Sequence, residues 1–495
     1  MLSLSKHDSL VQCQESCFDK LSMTLEPISK FNSSMNLFRK KSIKEILATA
    51  EKNTLKKTLG AFDLVMLGIG CTIGTGIFVV TGIAAATYAG PGIAISYFIA
   101  ALACVFAALA YAELASMVPV AGSAYTYTYA VMGEFVAWLV GWGLILEYAI
   151  GAATVSAGWS GYMVGILHSG GINIPEYLTK VPSNGGVINL PAICIALFIG
   201  FLLFRGTKES VTLNRILVVT KLCVIFLFLF IATPMIKPMN WSEFMPFGIH
   251  GVFVGAATVF YAYIGFDAVA TAAEECKNPK RDLPLGIIGS LLICTVLYIA
   301  VSLVLTGISH YSTLNNPEPL ARALRENGSN LGSVLVATGA IAGITSVLLV
   351  LMYGQSRIFF VMSRDGLIPA RFSKLHKKFH TPHISVIFTT LAVATITGFL
   401  PLHTLSQMTS LGTLFAFIVV AIGVLVLRIT EPKLSRSFKC PAVYITVPLA
   451  VLSCGYLTYT LLLETGKFFA MWSLLGLAIY FSYSYRKSPL NKKNR

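Results

Sequence analysis

Apolar residues fill this chain in long uninterrupted runs, and polar residues collect in the gaps between them. Twelve such runs lie near 62–88, 91–118, 131–167, 187–204, 212–234, 250–273, 284–308, 331–362, 383–400, 404–427, 442–463 and 468–485. About 20 apolar residues make a helix long enough to cross ~30 Å of hydrocarbon. Over such lengths a helix satisfies its own backbone, whereas the alternation of a membrane strand is absent. The pattern predicts an all-α polytopic membrane protein with twelve transmembrane helices, preceded by a tail of 1–58 and followed by one of 486–495.

Composition agrees with that reading. The 495 residues are 55% hydrophobic and 12% charged, and a soluble domain carries roughly twice that charge. Alternate loops divide the 37 Lys and Arg unequally: 31 fall on the side of the two tails, five on the other, and Lys221 inside a span. Such an asymmetry places both termini in the cytoplasm. It also accounts for the net charge of +15 without nucleic acid, because the cations are scattered over loops on one membrane face. None of the ten cysteines falls in an outer loop, so no disulfide framework is implied. Cys13 and Cys17 lie in the N-terminal tail, which has no signal-peptide pattern and reads as helical near 42–52. Asn240 and Asn327 open N-x-S sequons on outer loops.

Two spans break the rule that a membrane helix avoids glycine. The first carries "GIGCTIGTG", four glycines between Gly68 and Gly76, each costing about 1 kcal/mol in a helix interior relative to alanine. The sixth carries Gly265 between Tyr261, Tyr263 and Asp267 at mid-span. Five spans separate the two, so the second copy is inverted relative to the first. Paired interruptions of this kind are a sequence pointer to a transporter binding site. A broken helix offers free N–H groups where it resumes and free C=O groups where it stops. The first suits a carboxylate and the second an ammonium, and an α-amino acid has both. Gly74 and Gly76 would let a carboxylate approach closely, and Thr75 would add a hydroxyl. Gly70 and Gly74 also form a G-x-x-x-G, a helix-packing motif compatible with the same reading.

Charges inside the membrane are functional hypotheses by default. Lys221 follows the interfacial Arg215 by six residues. It either snorkels to the cytoplasm or faces the bundle, where it can exchange a proton or stand in for a bound cation. Glu147, in mid-span three, either recognises a cationic group or satisfies a neighbouring helix. Asp267 is the other central candidate for selectivity. Glu113, at the inner end of span two, reads as a structural partner.

"GIGCTIGTGIFVVTG", "YAELASMVPVAGSAYTYTY", "FYAYIGFDAVATAAEECKNPKRDLPLGII", "MYGQSRIFFVMSRDGLIP" and "FKCPAVYITVP" together resemble the amino acid–polyamine–organocation permeases. The resemblance covers about 60–485 and is closest to the cationic amino acid transporter family, including its bacterial twelve-span members. It implies a LeuT-type 5+5 inverted repeat over 59–428, with broken helices near 70–76 and 261–267 and two additional spans over 429–485. It places carboxylate contacts on Gly74, Thr75 and Gly76. Amino-group contacts fall on the carbonyls of Thr72, Tyr261, Ala262 and Ile264, with Phe266 beside the pocket. Lys221 matches the lysine of proton-coupled members, where it stands in for a sodium ion, so the expected coupling ion is a proton and no cofactor is implied.

The function these observations favour is import of an L-amino acid across the cell membrane by proton symport, with exchange or facilitated diffusion as the alternative. Whether the substrate is cationic or neutral stays open, as does oligomeric state. A channel would need a filter of stacked carbonyls or charge rings, and none is written in the sequence. An enzyme would need a catalytic or metal motif such as H-E-x-x-H, also absent. His376, His380 and His383 read as part of a solvated basic loop. No P-loop is present, so transport would run on gradients.

Overall fold

A computed structural model of the chain describes residues 37–41, 58–118, 123–206, 211–379, 381–434 and 436–488. The proposed tail helix at 42–52, Cys13, Cys17 and His380 lie outside these residues. Among the described residues, eight helical stretches are long and apolar enough to cross a membrane, and three shorter ones are apolar throughout. The protein is an all-helical, multi-pass membrane protein. Large apolar side chains such as Phe201, Phe230, Leu452 and Leu463 stand exposed on its outer surface, as hydrocarbon rather than water requires.

The first apolar run folds as α1 (Ala61–Thr72), then breaks and resumes at Gly76. Asp63 in the first turn of α1 accepts from the Gly60 N–H at 3.1 Å and pairs with Arg215. Gly90, at φ +59°, and Pro91 turn the chain into α2 (Ile93–Met117). A short helix, α3 (Ser123–Val131), leads to α4 (Glu134–Ser169), then α5 (Leu190–Arg205) and α6 (Val211–Ala232). The second interrupted helix starts as α7 (Gly248–Val259) and is followed by α8 (Pro279–Ile308). The loop helix α9 (Pro319–Glu326) then precedes α10 (Asn330–Arg364), α11 (His383–Phe399), α12 (Leu402–Thr430) and α13 (Val443–Ile479).

The last two predicted spans form one continuous helical stretch from Val443 to Lys487. A straight helix of 45 residues would be about 67 Å long at 1.5 Å per residue. Its contacts do not allow that. Just before it, the Cys440 N–H donates to Glu113 at the end of α2. At its middle, Glu464 accepts from Tyr88, next to the turn that starts α2, and from Gln407 near the start of α12. Just after it, the Ser488 hydroxyl donates to Glu134 at the start of α4. The stretch therefore doubles back near Glu464.

Helix association within a bilayer depends on close packing rather than on the hydrophobic effect. The strongest pairings are α4 with α10 and α12, α2 with α8, α12 with α13, and α1 with α8; α5 packs on α11, and α1 also lies against α6. Small residues mark these contacts: Gly158 on α4 faces Thr75, Gly339 on α10 faces Val224, and Gly200 on α5 faces Thr390. At the end of the bundle nearest the described tail residues, Glu113 holds Arg428 through two hydrogen bonds of 2.8 and 2.9 Å and Arg436 at 3.2 Å. That is the structural pairing its position suggested.

Candidate substrate and coupling site

The two helix interruptions meet in the core. The first begins at Ile73, which leaves the helix at φ −75° and ψ +104°. Helix resumes from Thr75 as a wide turn over Gly76–Val80. The second is a tight 3-10 turn over Phe260–Tyr263, an extended Ile264, and Gly265 at φ +117°. That backbone strongly favours glycine. The breaks are packed against each other through their glycines. A Cβ on Gly76 would collide with the Ala262 backbone, and one on Gly265 would come within 2.9 Å of the Cys71 carbonyl. Residues Thr72, Thr75, Gly76, Tyr261, Ala262, Ile264 and Phe266 are all buried here, and Gly74 rests on Val347 of α10.

The donor and acceptor ends are not treated alike. Among the described residues, the N–H end of the first break has no side-chain cap, and the Thr75 hydroxyl is buried without a hydrogen-bond partner. At the second break the Asp267 carboxylate lies beside the backbone N–H groups of Gly265, Asp267 and Ala268. On the acceptor side, the Thr72 hydroxyl donates to the Gly68 carbonyl at 2.8 Å, and the Thr72 carbonyl is the last of α1. Tyr298 of α8 reaches that carbonyl at 3.1 Å and the Ala262 carbonyl at 2.9 Å. The Tyr261 carbonyl accepts from the Ile264 N–H at 3.3 Å.

Lys221 does not snorkel. It is fully buried, and its ammonium donates to the Gly70 carbonyl in the last turn of α1 at 2.5 Å. Its methylene stem lies along Gly343 of α10, where a Cβ would stand 3.0 Å from Lys221 Cγ. Three elements, α6, α1 and α10, thus converge on one cation. An ammonium-to-carbonyl bond is among the stronger hydrogen bonds, worth about 1.5–3 kcal/mol.

A small cavity opens beside the second break, lined by Ile264, Gly265, Val347, Val350, Leu351 and Tyr148 together with the carboxyls of Glu147 and Asp267. Glu147 lies beside Thr413 of α12, and its Oε2 has no hydrogen-bond partner among the described residues. Phe266 does not face that cavity; it packs between Tyr111 and Phe417. Sequence reasoning missed Tyr298 and Thr413. A tyrosine and a threonine within apolar runs carry no signal until the opposing backbone is known.

With the geometry in hand, relatives decide the class. The family model for amino acid permeases matches residues 59–483. The chain belongs to the amino acid permease family. It is 48% identical to the branched-chain amino acid permease BcaP of Bacillus subtilis, over 92% of this chain and 99% of that protein. It is 47% identical to the methylthioribose transporter of the same organism, over 92% and 100%. The vacuolar cationic amino acid transporter 4 of Arabidopsis thaliana is 39% identical over 80% of this chain and 68% of that protein. As a permease, the chain is a transporter and not an enzyme.

Proposed function

We propose that this permease imports a neutral aliphatic L-amino acid by proton symport, through alternating access. The observation that carries the reading is the uncapped N–H end at Thr75–Gly76, buried opposite carbonyls of the second break. A substrate carboxylate supplies the missing cap, with the Thr75 hydroxyl as a further donor, and the α-ammonium takes carbonyls of Thr72, Tyr261, Ala262 and Ile264.

The architecture that suits this is twelve crossings, of which the first ten form an inverted repeat of the LeuT type. Counting α1 with its continuation, α7 with its continuation, and the doubled-back stretch after Val443 as two gives that number. The pairing of α2 with α8, α4 with α10 and α5 with α11 supports the repeat. In each case a helix packs on its counterpart five crossings later, as expected around a two-fold axis. The excess of cations in alternate loops supports cytoplasmic termini.

Lys221 is the proton site in this reading. Protonated, it ties the inner half of the first helix to α6 and α10. Deprotonated toward an alkaline cytoplasm, it loses the charge-assisted part of its bond to Gly70, and that half-helix is free to swing. The bundle of α1, α2, α7 and α8 then rocks against the rest. The apolar wall of Val347, Val350 and Leu351 supports an aliphatic side chain, in keeping with the branched-chain substrates named for BcaP. The unpartnered Glu147 oxygen favours a second reading, in which the pocket accepts a cationic side chain.

Uptake of labelled leucine, alanine, arginine and lysine into proteoliposomes, with and without an inward proton gradient, tests the proposal. Concentrative leucine uptake only with the gradient is expected. Uptake indifferent to the gradient but stimulated by internal amino acid would make the protein an exchanger, and preference for arginine would favour the second reading.

A further inference from the structure

We infer that Tyr298 is the positioning residue of the amino-group subsite: its hydroxyl holds one carbonyl from each interrupted helix, Thr72 and Ala262, at a spacing that a single ammonium spans. The inference rests on the proposed amino acid substrate and adds the residue that sets the geometry for its amine. Both carbonyls lie within 3.1 Å of one oxygen atom. They are therefore at most about 6 Å apart, twice the N···O distance of a normal hydrogen bond.

The tyrosine is built to hold that place. It is fully buried in a cluster of three rings, with Tyr97 and Tyr263 each at 5.3 Å from it and 6.1 Å from each other. Those neighbours are themselves fixed, since the Tyr97 hydroxyl shares a 2.6 Å bond with Thr81 and the Tyr263 hydroxyl donates to the Tyr97 carbonyl at 3.0 Å. Among the described residues, no charged side chain hydrogen-bonds the Tyr298 hydroxyl.

A hydroxyl has a single proton for two carbonyl acceptors. One carbonyl is always left short of a donor, and an ammonium with three N–H groups meets that need. The same last turn of α1 carries the Gly70 carbonyl held by Lys221, two residues before Thr72. Lys221 and Tyr298 thus grip carbonyls two residues apart at one helix end, so the amine subsite and the proton site share a structural element.

The test compares wild type with Tyr298→Phe, which keeps the buried ring and removes only the hydroxyl. Inhibition constants are measured for leucine and for 4-methylpentanoate, which has the same carboxylate and side chain but no amine. Leucine affinity is expected to fall about 10-fold or more, the range for a lost hydrogen bond to a charged group, while 4-methylpentanoate affinity stays unchanged. An equal loss for both would make the hydroxyl merely structural and overturn the inference, as would no loss for either. A wild-type protein that binds neither compound would overturn the substrate reading and this inference with it.

Discussion

The two helix interruptions share a position in the core yet differ in how their ends are satisfied. At the second, the Asp267 carboxylate lies beside the N–H groups of Gly265, Asp267 and Ala268. At the first, the equivalent N–H end has no side-chain cap, and Thr75 offers a hydroxyl with no partner. Their C=O ends are met in trans, by Lys221 at Gly70 and by the single Tyr298 hydroxyl shared between Thr72 and Ala262. A permanently capped break is a structural joint. A break left uncapped deep in a membrane protein is stable only where something else fills the role, because an unsatisfied buried donor costs about 1–3 kcal/mol. On the proposed reading, Asp267 belongs to the fold and Thr75–Gly76 to the substrate.

Abolishing one break should have the largest effect. In Gly76→Leu, the new side chain would meet the Ala262 backbone and force the two interruptions apart. Saturable uptake should vanish, while the purified variant still runs as a single species in detergent; wild-type affinity would refute the carboxylate assignment. Next comes Lys221→Ala, which removes the donor at Gly70. Accumulation driven by a pH gradient should be lost, and undiminished gradient-driven uptake would remove Lys221 from the coupling mechanism.

Asp267→Asn separates a joint from a pocket residue. The amide has one acceptor oxygen where the carboxylate has two, so uptake of every substrate should fall alike, by about 10-fold for one weakened charge-assisted cap. A change in preference between leucine and arginine would instead place Asp267 among the selectivity residues. Glu147→Gln should have the smallest effect on leucine, within about threefold, since surrounding contacts are kept. If the pocket accepts cationic side chains, arginine uptake alone should collapse in that variant.

Much of this organisation was legible in the sequence. Apolar runs marked the membrane helices, and Gly68–Gly76 and Gly265 marked the interruptions, because glycine in a membrane helix needs a reason. Lys221 was conspicuous for its uncharged surroundings, although only the structure distinguishes burial against Gly70 from snorkelling. The role of Asp267 was not legible, since its cap depends on the positive φ of Gly265. Tyr298 was invisible for a related reason. Its partners lie 226 and 36 residues away, and which way a helix turns its tyrosine is set by packing that no local pattern encodes. The fold at Glu464 was read as a gap between two runs, yet the backbone stays helical through it.

The most direct measurement gives the first break the cap that the second already has. Thr75→Asp places a carboxylate at the N-cap of the resumed helix, where a good cap is worth about 1 kcal/mol. Leucine binding and thermal stability would be measured together on the purified variant. The account predicts a melting temperature equal to or above wild type and no detectable leucine binding, because the protein's own carboxylate occupies the place of the substrate's. Leucine binding at wild-type affinity in a stably folded Thr75→Asp protein would contradict it.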